Sequence, residues 1–233
     1  MRLLISILWL IPSIGHSQSI FDDFDSFLED HVVFGSVDYR AIKNNPKALD
    51  DLIVKIAAYD LEDTSEDFEK AFYINAYNVL VIEQVTENYP LKSPLDIEGF
   101  FKGTKFSVAG DSLSLDQLEF DRLLNKTKDP RIHFSLACAA KGCPYLYESA
   151  FYPEGLNEQL DFRAKQIVEL SNYVFVDNKK ETVTLSKIFD WYEDQFLWAS
   201  ESLIDFINQY RKSKIPADYT IEFTEYNWTL NDR

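Results

Sequence analysis

His133, Cys138 and Cys143 fall within one short stretch, Asp129-Pro130-Arg131-Ile132-His133-Phe134-Ser135-Leu136-Ala137-Cys138-Ala139-Ala140-Lys141-Gly142-Cys143-Pro144, and the two cysteines are the only ones in the chain. A free thiol of pKa about 8.5 is mostly protonated at neutral pH and becomes a nucleophile only beside a base or a cation. His133 is the imidazole placed to be that base, since His31 lies in a weakly patterned N-terminal part. One chemistry is therefore a thiol-dependent hydrolase or transferase with Cys138 as nucleophile, Cys143 as the alternative, and a buried asparagine orienting the imidazole. The last point is an analogy with papain-like enzymes. The same residues admit a Cys138–Cys143 disulfide, structural or redox-active, because a short loop can satisfy the required Cα separation. They also admit zinc held by His133, Cys138 and Cys143 with a water or carboxylate, although the spacing matches no strong metal pattern.

The elements that must position these groups follow from periodicity. Ile132, Phe134 and Leu136 alternate with His133, Ser135 and Ala137, which predicts a strand leading into a loop broken by Gly142 and Pro144. On a straight strand His133 and Cys138 have opposite parity, so the loop must bend before they meet. A helix is predicted over Glu66–Asn88, capped by Thr64 or Ser65, with apolar stripes on most sides. Asn75 and Asn78 fall within those stripes. Each either ties down neighbouring backbone or serves the site by orienting a catalytic group or donating to an oxyanion.

Elsewhere, helices are predicted around Phe21–Leu28, Pro46–Tyr59, Asp116–Leu124, Leu156–Leu170, after Ser186, and over Leu203–Tyr210. Hairpins are predicted across Gly110-Asp111 and Asp177–Lys180, with a last strand at Tyr219–Phe223. Helices and short strands without βαβ alternation indicate one α+β domain, helices packed on a small, mainly antiparallel sheet with hairpins. Trp191, Trp198 and Trp228 furnish core or a ligand groove.

The net charge of −16 is spread along the chain, which argues against nucleic acid, since phosphate binding needs clustered Lys and Arg. Residues 1–17 read as a signal peptide: Arg2, then the apolar run Leu3–Ile11, then Gly15 and Ser17 at a cleavage site. The run is too short for a membrane span, which needs about 20 apolar residues. The expected organisation is a cleaved leader at 1–17, a helical lead-in at 18–36 and the α+β domain at 37–233. The mature protein is expected to be periplasmic or secreted, with no integral membrane segment.

Five blocks carry a family resemblance: Ala71–Asn78, Asp129–Phe134, Cys138–Pro144, Leu185–Tyr192 and Tyr226–Asp232. They fall in family order from about Val37 to the C-terminus and resemble the domain of unknown function 547. That family occurs as exported bacterial proteins and as C-terminal domains of plant proteins, some fused to glutaredoxin-like modules. Two positions depart from its pattern. Ala137 stands where an asparagine usually precedes the first cysteine, and Tyr145 where a second proline often follows. The resemblance implies no established activity. The expectation is an exported protein with Cys138, His133, Asn75, Cys143 and Asn78 as site residues, no cofactor or metal, and a small-molecule or peptide substrate. The alternative is a non-catalytic binding or envelope domain with a structural or redox disulfide.

Overall fold

A computed structural model describes residues 19–233 of the chain. The leader expected at residues 1–17 lies outside the described residues. The first helix, α1 (Ile20–His31), begins at a capping box in which Ser19 and Asp22 satisfy each other's backbone donors. A two-residue hairpin follows (β1 Val32–Val33, β2 Ser36–Val37), then α2 (Tyr39–Asn44) and α3 (Lys47–Ala58).

The central helix α4 (Glu66–Asn88) has the predicted bounds. Ser65 accepts from the Phe68 N–H at 3.2 Å, and Glu66, Asp67 and Glu69 sit in the first turn, where the helix dipole favours acid. From Ala71 to Ile82 every residue is buried, as a helix apolar on most sides requires. Phe72 packs edge-on against Phe24 of α1 at 6.2 Å between ring centroids, so the N-terminal helix shares this core.

The hairpin of β3 (Phe106–Val108) and β4 (Asp111–Leu113) turns on Ala109-Gly110, both at positive φ, one residue earlier than predicted. Two positive-φ residues are what a two-residue turn of this hand demands, and glycine supplies the second without steric cost. Next comes helix α5 (Leu115–Gln117), which widens into a π-helix over Leu118–Leu124 before α6 (Asn125–Thr127).

The strand expected over Ile132–Ala137 does not form. Pro130–Phe134 is a 3₁₀ helix, with Asp129 as N-cap accepting from the Arg131 N–H at 3.1 Å and proline at the first position. Apolar alternation misled because Ile132 and Phe134 enter two different cores while the residues between them are buried as well. Asp129 and Arg131 form an ion pair, with Nη2 at 2.7 Å from Oδ2, and Arg131 also reaches Asp161 at 2.7 Å.

The second core gathers α7 (Leu156–Glu169), α8 (Lys187–Trp191), α9 (Glu193–Phe196) and α10 (Leu203–Tyr210) around Phe134, Phe189, Phe196 and Phe206. Against it lies a three-stranded sheet in which β6 (Thr182–Leu185) pairs antiparallel with β5 (Val174–Asp177) and parallel with β7 (Thr220–Phe223). The fold is α+β, with its strands in three small sheets rather than one. No helix among the described residues is long and apolar enough to cross a membrane.

Candidate functional site

The loop after the 3₁₀ helix is fixed from three sides. Asn78 of α4 spends its amide on it, donating from Nδ2 to Ser135 O and accepting from the Ala137 N–H, both at 2.9 Å. Arg163 of α7, 1% exposed, donates from Nη2 to Phe134 O at 3.3 Å and Tyr145 O at 2.6 Å, closing the two ends of the loop onto one guanidinium. Desolvation lowers the Arg163 pKa, while stacking on Tyr145 at 4.4 Å helps hold the charge. The C-terminal strand-like segment 226–231 supplies the third side. Thr229 O and Asn227 O accept from the Lys141 and Gly142 N–H groups at 2.8 Å, and the Asn231 N–H donates to Ala139 O at 2.9 Å. A Cβ on Gly142 would stand 2.9 Å from Asn227 N, so only glycine lets the two backbones approach this closely.

Within this loop Cys138 and Cys143 are joined as a disulfide, with Cα atoms 6.0 Å apart. Neither sulfur is a thiol, so in this state the chain holds no cysteine nucleophile and no thiolate pair for zinc. The two sulfurs are not equivalent. Cys143 is buried, and its Sγ accepts from the Cys138 N–H at 3.0 Å and from the Tyr226 hydroxyl at 3.1 Å. Cys138 is half-buried, and its Sγ lies 3.2 Å from that same hydroxyl.

His133 is near but does not serve the sulfurs. Its ring is 4% exposed and stacks on Tyr192 with centroids 4.1 Å apart. Burial drives its pKa down to about 3, so the imidazole is neutral. Nδ1 faces Glu119 Oε1 at 3.7 Å, too long for a hydrogen bond, and Nε2 is buried without a partner. Glu119 lies on the π-helical turn, and its pKa is raised to about 7, mainly by burial and further by Asp116. Hydrogen bonding from Tyr192 and Tyr77 works in the opposite sense.

These groups share a cleft of about 290 Å³ at the junction of the two cores. Glu119, His133, Cys138, Cys143, Tyr192, Tyr226, Trp191 and Trp228 all line it. Trp191, Tyr226 and Trp228 form one cluster, with centroid separations of 4.7, 5.8 and 4.6 Å. At the mouth Lys102 pairs with Asp116 at 3.6 Å.

Sequence reasoning thus placed three of its five residues in the cleft: His133, Cys138 and Cys143. Asn78 stands behind it, holding the loop. Asn75 is elsewhere: Nδ2 donates to Ala71 O and Phe151 O, and Oδ1 accepts from the Phe151 N–H, so its amide ties down backbone and makes no hydrogen bond to His133. Of the three tryptophans, Trp198 instead lies under the Lys128 ammonium at 4.3 Å. The residues missed were Glu119, Tyr192 and Tyr226. Glu119 belongs to a segment read as an ordinary helix, and no sequence signal marks its π turn, a feature frequent at functional sites. Among the described residues no group of three or more His, Cys, Asp or Glu side chains is arranged to hold a metal.

Fold and site together define an α+β protein with an aromatic cleft, one wall of which is a disulfide. Residues 61–168 match the family model described as "Protein of unknown function, DUF547", so over this stretch the chain is similar to that family. The match is narrower than the span of the five blocks. No curated protein and no solved structure matches the chain.

Proposed function

We propose that the cleft carries out thiol–disulfide exchange on a small ligand, with Cys138 the sulfur that bonds to it. The observation that carries this reading is the asymmetry at the disulfide: both cysteines line the cleft, but Cys138 is the more exposed, while two hydrogen-bond donors converge on the Cys143 sulfur. A leaving thiol of lower pKa departs faster, and donors directed at Cys143 Sγ stabilise it as a thiolate. Attack by a ligand thiolate on Cys138 Sγ breaks the Cys138–Cys143 bond and forms a Cys138–ligand mixed disulfide. The incoming thiol gives its proton to solvent before it attacks. A second ligand thiol then displaces Cys138, leaving a protein dithiol and an oxidised ligand pair, so two thiols are oxidised for each protein disulfide reduced. The chain runs in the opposite direction when it meets a ligand disulfide in its dithiol form. As part of the same proposal, the protein works outside the reducing cytosol, where such a bond persists.

The test is trapping. In a Cys143→Ser variant, Cys138 should accumulate a mixed disulfide with a small disulfide reagent, read as added intact mass, much faster than Cys143 does in Cys138→Ser. Equal trapping of both cysteines, or a native disulfide that opens to small thiols only after denaturation, would overturn the reading in favour of a structural bond.

A further inference from the structure

The charged side chains that line the cleft are two carboxylates, Glu119 and Asp116, and one ammonium, Lys102. Glu119 faces no lysine or arginine among the described residues, and its nearest basic neighbour, His133, is a neutral imidazole. Asp116 adds a second carboxylate, already paired with Lys102, whose ammonium stands at the exposed mouth. Trp191, Tyr226 and Trp228 line the same cleft, with the Tyr226 hydroxyl on the disulfide. An anionic ligand would meet a carboxylate and the negative faces of aromatic rings. A cation would find both as partners, and attraction to a ring face is strongest when the cation is desolvated.

We infer that the cleft selects a ligand whose sulfur is carried a short distance from an ammonium group, an aminothiol or its disulfide, with the ammonium held between Glu119 and the Trp191–Trp228 aromatic wall. The inference rests on the exchange reading above and names its substrate class. The sulfur of such a ligand meets Cys138 while its charge is held a few bonds away. Exchange is then favoured by positioning, and the cleft discriminates against thiols of the opposite charge.

The experiment opens the native disulfide of the full protein with three small thiols: 2-aminoethanethiol, 2-mercaptoethanol and 2-mercaptoethanesulfonate. Rates are expressed per thiolate and divided by the rate of the same thiol on an exposed model disulfide. The chain's net charge of −16 favours any cation at long range, so the series is run at about 0.5 M salt, where that field is screened within a few ångströms. The expected result is a preference for the aminothiol over the neutral thiol of roughly tenfold, with the sulfonate slowest. Glu119→Gln and Trp228→Leu should each collapse the ratio towards one, with folding checked by circular dichroism; the ratio is informative even where the absolute rate falls. Equal normalised rates for the three thiols would overturn the inference and leave exchange standing. Failure of all three to open the native disulfide would sink the exchange reading itself.

Discussion

The Asn78 amide joins α4 to the disulfide loop through two buried hydrogen bonds, and the second comes from the Ala137 N–H at 2.9 Å, one residue before Cys138. The helix most central to the fold thereby sets where the half-buried sulfur stands. Asn78→Ala strands a buried carbonyl and a buried N–H, for a destabilisation of roughly 2–4 kcal/mol. Urea unfolding of the oxidised protein measures this; a loss within experimental error would show that the loop holds its place without the asparagine.

The Tyr226 hydroxyl touches both sulfurs, and its own pKa is raised, chiefly by burial, so it is a donor throughout the working range. Tyr226→Phe should slow opening of the disulfide by a few-fold to tenfold, the scale of one hydrogen bond of about 0.5–1.5 kcal/mol. Stability should change little, because ring and packing are kept. Unchanged opening kinetics would remove the hydroxyl from the exchange step.

Glu119 and His133 depart from their ordinary pKa values in opposite senses, and the signs decide the pH profile. The Glu119 carboxyl is held at about 7, above its ordinary 4.5, so its contribution to stability is complete below 4.5 and lost as pH rises through 7. The His133 imidazole is held at about 3, below its ordinary 6.5, so its contribution is complete above 6.5 and lost as pH falls towards 3. The two slopes oppose each other between 4.5 and 6.5. Glu119→Gln removes the first and should gain stability relative to the native chain between pH 4.5 and 7, by up to on the order of 3 kcal/mol. Parallel stability–pH curves for the two proteins would show that Glu119 titrates normally.

Arg163 closes both ends of the disulfide loop with Nη2, donating to Phe134 O and Tyr145 O, while Nη1 donates to Gln166 and the plane stacks on Tyr145. Lysine has a single nitrogen and no planar group to stack, so Arg163→Lys should cost roughly 3 kcal/mol or more and render the disulfide accessible to thiols too bulky for the native cleft. Thermal unfolding and alkylation after limited reduction read the two effects. A lysine variant as stable as the native chain would mean that the loop closes without the guanidinium.

Much of this architecture is legible in the residues themselves. The bounds of α4, its Ser65 cap, the helix at Leu203–Tyr210 and the hairpin after Tyr173 follow from period and punctuation, because each buries one face or is bounded by turn residues. The stretch around His133 is illegible by the same rule. It is buried on every side, so alternation carries no information there, and the Asp129-Pro130 start of a helical turn is the better signal. Asn75 and Asn78 lie three positions apart on α4, yet only Asn78 touches the loop. Which buried amide meets which backbone depends on tertiary approach, which spacing along one helix does not encode.

The aromatic wall of the cleft comes from residues 191–228, beyond the 61–168 stretch shared with the family, whereas Glu119, His133 and both cysteines lie inside it. The cleft is thus assembled from two stretches of the sequence, joined by three backbone hydrogen bonds between the loop and the C-terminal segment. On the exchange reading the tail must keep Tyr226, whose hydroxyl touches both sulfurs, while Trp191 and Trp228 are free to vary. Chains alike over 61–168 can then carry the same disulfide and differ in what they accept.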